Sequence, residues 1–201
     1  MTKIDYKKVF QHLYNPSSKE VVILDVPEMN FLMIDGQGDP NTAQGYRDAV
    51  EALYSLAYAL KFMVKKRQGV DYSVMPLEGL WWAYNMAQFS VDKKDEWQWT
   101  MMMTQPEYVT EVFFAEAVAQ VQKKKNPAAL SHIRFESFAE GRAAQIMHIG
   151  PFTEEGPTIE RLHTFIDKHG QRRGKHHEIY LSDIRKADPQ KWRTVIRQPM
   201  A

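Results

Sequence analysis

The spacing of apolar residues changes period several times along the chain, and each change marks an element. "VVILDVPEMNFLMIDGQG" (21 to 38) is β-branched and apolar, interrupted by Pro27 and closed by two glycines, which predicts two strand segments arriving at Gly36. In "TAQGYRDAVEALYSLAYALKFMVKK" (42 to 66), Tyr46, Val50, Leu53, Leu56 and Leu60 recur at helical spacing, with Thr42 placed to cap a long amphipathic helix. Two aromatic and Met-rich stretches follow, "DYSVMPLEGLWWAYNMAQF" and "WQWTMMMTQP". The charged turn "DKKDE" separates them, as in an antiparallel hairpin. A short N-terminal helix is expected between Tyr6 and Tyr14, and "TEVFFAEAVAQVQKKK" (110 to 125) is helical in pattern, with "KKKNPAALSH" as linker.

The second half repeats the order of the first. "GRAAQIMHIG" (141 to 150) reads as a strand, "TEEGPTIERLHTFIDKHG" as a helix ending on Gly170, and "HHEIYLSDI" with "KWRTVIRQP" as another hairpin. "WTMMMTQP" (99 to 106) overlays "WRTVIRQP" (192 to 199) without a gap, matching Trp99 to Trp192, Gln105 to Gln198 and Pro106 to Pro199. The expected fold is α+β, one domain over 1–201 made of two pseudo-symmetric strand-helix-strand-strand modules, repeats near 20–106 and 107–200. A small antiparallel sheet with helices on one face cannot bury both its faces alone, so pairing the modules is expected to enclose a central cleft.

Composition narrows the partners. The 201 residues carry 26 basic and 25 acidic side chains, a net charge of +1, so no electrostatic footprint for nucleic acid or an anionic membrane is present. There is no cysteine, which excludes disulfides and thiolate chemistry and suits a reducing cytosol. The N-terminal stretch is charged, and no apolar run approaches the roughly 18 residues that span a bilayer, so a cytoplasmic location is expected. "DGQGDP" lacks the third glycine of a dinucleotide fingerprint and reads as a turn. The histidines form no recognised ligand spacing, so neither metal nor cofactor is expected.

One residue stands out from this pattern. In "KHHEIYLSD" (175 to 183), strand alternation sends His177, Ile179 and Leu181 to one side and Glu178 with Tyr180 to the other, leaving a carboxylate in mid-strand beside a phenol. Ile179 and Leu181 are the natural helix-facing pair, so Glu178 and Tyr180 are expected on the helix-averted face, toward the cleft. Adjacent Trp81 and Trp82 must point to opposite faces, so one of them lines the cleft and the other is core. Trp99 and Met101 share a parity that suits either a sheet core or an adaptable pocket wall. Tyr108 is either an ordinary residue before a helix or a hydroxyl reaching the site.

Four segments, "QIMHIGPFTEEGPTIERL", "HHEIYLSD", "PLEGLWW" and "VIRQP", resemble the GyrI-like small-molecule-binding family over most of residues 20 to 200. The resemblance implies a duplicated strand-helix-strand-strand module with a glutamate at the bottom of an aromatic cleft, matched here by Glu178. "LEGLWW" with "HHEIYLSD" is most similar to a stand-alone branch that hydrolyses cyclopropane-bearing, DNA-alkylating natural products. Ile184 departs from the proline expected in "LSDIRK", which concerns a turn.

Three functional classes follow. In a cofactor-independent hydrolase, Glu178 deprotonates a water that opens the strained ring and a tyrosine hydroxyl, Tyr180 first, stabilises charge on the carbonyl. In this reading Trp81, Trp82, Trp99, Met101 and Tyr108 hold a flat hydrophobic molecule. In a binding module the same carboxylate holds a lipophilic cation unchanged. In a regulatory protein the partner is another protein, such as gyrase; transcription control through DNA is disfavoured because 20 leading residues are too few for a helix-turn-helix domain.

Overall fold

The structure is a computed structural model describing residues 2–84 and 91–201; of the expected first hairpin, residues 85–89 lie outside the described residues. A short strand β1 (Thr2–Ile4) leads into two single-turn helices, α1 (Tyr6–Val9) and α2 (Gln11–Tyr14), where one helix was expected. The first strand-helix-strand-strand run is β2 (Val22–Gln37), α3 (Gln44–Gln68), β4 (Leu77–Trp82) and β5 (Gln98–Gln105), with a short β3 (Val70–Tyr72) paired in parallel to β1. Helix α4 (Glu111–Lys124) connects to the second run, β6 (Arg134–Ile149), α5 (Gly156–His169), β7 (His176–Tyr180) and β8 (Arg193–Pro199). The fold is α+β. Its six long strands are hydrogen-bonded in the order β2-β5-β4-β7-β8-β6, a sheet closed on itself.

Register carries the duplication further than element order does. In the β2–β5 ladder Leu32 faces Met103 and Gly36 faces Trp99; in the β6–β8 ladder Ile146 faces Ile196, and the Gly150 N–H donates to the Trp192 carbonyl. Laying Trp99 on Trp192 therefore lays Met103 on Ile196, Leu32 on Ile146 and Gly36 on Gly150. Both runs keep the same pairing.

Two details differ from the sequence pattern. Strand β2 is continuous through Pro27; a strand accepts a proline where the missing N–H faces no ladder partner. Helix α3 begins two residues after Thr42, with Ala43 at the N-cap and no side-chain capping bond, whereas Thr110 does cap α4, accepting from the Phe113 N–H at 3.3 Å. At its other end α3 stops on Gly69, whose φ of 71° is a left-handed conformation that glycine adopts without cost.

By packing, the chain forms two compact units that do not follow the two sequence halves: Met1–Tyr6, Met29–Met75 and Trp81–Phe138 make one, and Lys7–Glu28, Pro76–Leu80 and Ala139–Ala201 the other. Strands β2, β4 and β6 are long enough to contribute residues to both. In the first unit α3 packs on β5 and α4, burying Leu53, Leu56 and Leu60. In the second, Leu162 and Ile166 of α5 pack on Ala144, Ile146, Ile196 and Met200.

Candidate functional site

Strand β7 sorts its two side-chain rows onto faces opposite to those expected. Glu178 lies directly across from Ile196, and Tyr180 from Thr194. Ile196 packs beneath α5, so Glu178 and Tyr180 are on the helix-facing side. The expectation that apolar Ile179 and Leu181 mark the helix side fails because both faces of this strand are covered, and apolar character then does not tell one from the other.

On the α5 face Glu178 is held from both sides. The Tyr180 hydroxyl donates to its Oε2 at 2.7 Å, and His176 Nε2 lies 3.0 Å from its Oε1. Burial alone would push this carboxyl up, but the bonds from His176 and Tyr180 and the nearby charge of His177 bring it below the usual value, so it is ionised at neutral pH. Its side chain is 16% exposed, enough for water to touch it.

A second carboxyl stands at the start of α5. Glu155, the N-cap residue, is 5% exposed and makes no capping bond. Its Oε1 and the Thr194 Oγ1 are buried beside each other, and neither is hydrogen-bonded to any other described group. Burial, and after it the charge of Glu178, pushes Glu155 up to about 9, with the Thr194 hydroxyl beside it working the other way. One carboxyl is thus charged and its neighbour protonated, an arrangement suited to moving a proton in each direction. An aromatic wall adjoins them: the Phe152 ring meets Tyr180 at 5.6 Å and Trp192 at 5.1 Å, and Phe152 is 39% exposed.

The opposite face of the same strands carries a closed ionic network. His177 Nδ1 is 3.0 Å from Glu140 Oε1 and its Nε2 3.1 Å from Glu78 Oε2, while Tyr14 donates to the other Glu78 oxygen at 3.1 Å. Arg197, across the ladder from His177, donates to Glu140, to Gln145 and to the Leu13 carbonyl. Glu140 reaches this face through Gly141, whose φ of 74° breaks the alternation of β6; without that step it would share the α5-facing parity of Ala144 and Ile146. Burial would depress His177, yet Glu140 and Glu78 raise it to about 9, and Glu140, with burial opposing, is held at about 2 by His177 and Arg197.

The remaining expected site residues belong to the first unit. Trp81 stacks on Tyr46 of α3 at 6.1 Å and Trp99 meets the same ring edge-on at 5.5 Å, so both are packing residues on the α3 side; Met101 has no exposed surface. Trp82 and Tyr108 are half-buried. A separate shallow cavity of about 780 Å³ runs along the outer side of α5, lined by Glu160, Arg161, Phe165 and Lys168. Sequence reasoning missed Glu155, His176, Phe152 and Trp192. The doublet Glu154-Glu155 just before the Gly-Pro that starts α5 was the available signal.

Residues 19–200 match the model of the GyrI-like small molecule binding domain. The chain belongs to the GyrI-like family. Two solved structures of hydrolases from Listeria innocua are 38% and 40% identical to it, cover 98% and 100% of the chain and are themselves covered completely, with TM-scores of 0.86 and 0.88. The C-terminal domain of EcmrR, 13% identical over 90% of this chain and 97% of its own, shares the fold with a TM-score of 0.56. Among curated proteins nothing matches. Membership in the GyrI-like family makes small-molecule binding the general activity. Among the described residues no helix is long and apolar enough to cross a membrane.

Proposed function

We propose that this GyrI-like protein hydrolyses a flat hydrophobic small molecule carrying an electrophilic cyclopropane, with Glu178 as general base. The observation that carries the reading is the state of Glu178: largely buried, kept ionised by His176 and by Tyr180, whose ring meets Phe152, and still 16% exposed, so that water can reach it. The hydrolase relatives from Listeria support the reaction class. Phe152 and Trp192 supply a ring surface on which a planar substrate can lie.

In the reaction, water gives a proton to Glu178 while its oxygen bonds to a ring methylene. The cyclopropane C–C bond breaks, and its electron pair passes into the conjugated carbonyl. Ring strain supplies driving force, so positioning and one base suffice. Detoxification of DNA-alkylating compounds is the biological role this chemistry fits.

A spirocyclopropyl cyclohexadienone is a suitable probe, because ring opening converts the dienone to a phenol and changes its absorbance. Glu178→Gln keeps the shape and removes the base. The expected result is ring opening reduced by roughly 10²- to 10⁴-fold with probe binding retained. Equal turnover by both proteins rejects the base assignment. The charged carboxylate, hydrogen-bonded to a Tyr180 whose ring meets Phe152, also suits capture of a lipophilic cation; on that second reading neither protein opens the ring and the variant loses affinity for cations alone.

A further inference from the structure

Ring opening by water needs a second proton transfer that Glu178 does not provide. As the base takes a proton from water, negative charge collects on the carbonyl oxygen and must be neutralised there. Tyr180 carries a single hydroxyl proton, and that proton is donated to Glu178 Oε2. While it holds the base, Tyr180 is not free to protonate the substrate.

We propose that Glu155 is the proton donor of the site, delivering its carboxyl proton to the substrate oxygen on which charge develops. This rests on the hydrolase reading given above. Glu155 is a buried carboxyl at the N-cap of α5, its Oε1 held by no described group but the Thr194 hydroxyl, and within the electrostatic reach of Glu178. The Thr194 hydroxyl interacts with this carboxyl, and neither Glu155 Oε1 nor Thr194 Oγ1 is hydrogen-bonded to any other described group, so the pair is placed to receive a ligand oxygen. Leaving a buried donor unpaired costs about 1 to 3 kcal/mol, a cost offset when a substrate carbonyl accepts from it.

The proton count closes. Water loses one proton to Glu178, and the carbonyl oxygen gains one from Glu155. The product is an alcohol on the former ring carbon and a hydroxyl on the former carbonyl. Glu178 then holds the proton and Glu155 the charge. Transfer of that one proton between the two carboxyls restores the starting state, with no outside acid or base and no change in redox state.

Steady-state kinetics on the dienone probe across pH test the assignment. The other titratable groups on the strands beneath the start of α5 are Glu178, His176 and Tyr180 on β7 and His148 on β6, whose Nδ1 is 3.0 Å from Thr158 Oγ1. Wild type is expected to lose kcat as pH rises through about 9, where Glu155 gives up its proton. Glu155→Gln should lower kcat by roughly 10²- to 10⁴-fold with KM little changed and with that alkaline limb gone. Glu155→Asp, which keeps an acid on a shorter arm, should recover part of the rate and restore a limb. If wild type opens the ring and Glu155→Gln matches it with the same limb, Glu155 is not the donor and the hydrolase reading stands. If wild type leaves the probe intact, that reading falls and the donor role with it. A variant with reduced rate but an unmoved limb makes Glu155 structural and overturns the proposal.

Discussion

Take away the Arg197 guanidinium and two buried carboxylates face a single imidazolium. Glu78, Glu140, His177 and Arg197 are all buried, at 0%, 6%, 1% and 1% exposure, and the network pairs two acidic with two basic side chains. Breaking such a set by removing one member typically costs about 3 to 5 kcal/mol, more than the pair itself contributes, because an uncompensated charge stays behind. Arg197→Met is therefore expected to lower unfolding free energy in urea by that amount. A loss under about 1 kcal/mol would mean that the network relaxes or takes up water. The same neighbourhood explains why single residues were hard to place from sequence. His177 and Glu178 are adjacent, so one serves a structural network and the other the candidate site, and alternation alone shows only that they part company.

At the scale of elements, the ladders explain positions that composition leaves unexplained. Gly36 sits across from Trp99, and a Cβ on Gly36 would fall 2.1 Å from Trp99 Cη2, far inside van der Waals contact. The glycine is there so that the indole can lie over the neighbouring strand and meet Tyr46. Gly36→Ala should displace a fully buried tryptophan and cost about 1 to 3 kcal/mol, the usual range for overpacking, read as a lower urea midpoint at unchanged slope. Adding Trp99→Leu should recover part of that loss relative to Trp99→Leu alone; additive losses would show that the ring is not the obstacle. Strands, helices and their order were legible because periodicity is set locally by which side chains must be buried. The duplication was legible from Trp99 and Trp192. The face that Glu178 occupies was not, since it depends on a partner strand's register, and Glu140 changes face at a left-handed glycine that alternation cannot anticipate. Glu155 was missed because a glutamate before a helix reads as a favourable end charge, and only tertiary burial makes it an acid.

Over the whole molecule, stability follows pH through shifted groups on both sides of neutrality, four of them buried or half-buried with large shifts. Glu140, held at about 2, contributes stability that is complete above its unfolded value near 4.5 and is lost as pH falls through 2. His163, depressed by burial to about 4, stays neutral when folded, so its contribution is present above about 6.5 and lost on acidification. His177, raised to about 9, contributes fully below about 6.5 and loses its share as pH climbs through 9. Glu155, raised to about 9 from about 4.5, keeps a proton in the folded state that the unfolded chain gives up, so it too lowers stability on the way from 4.5 to 9. Between about pH 4.5 and 6.5 the His163 gain and the Glu155 loss oppose each other, so among these four groups stability is flat there, falling below that range and again above it. Between pH 7 and 9 unfolding should release about two protons, one from His177 and one from Glu155, a fall on the order of 2 to 3 kcal/mol per pH unit before other groups are counted. Glu155→Gln cannot titrate, so it should release about one proton over the same interval and halve the slope, while becoming more stable than wild type toward pH 9. Urea unfolding at half-unit steps measures both lines directly. Parallel lines would mean that Glu155 is ionised in the folded protein, and the shared proton on which the two-carboxyl site depends would not be there.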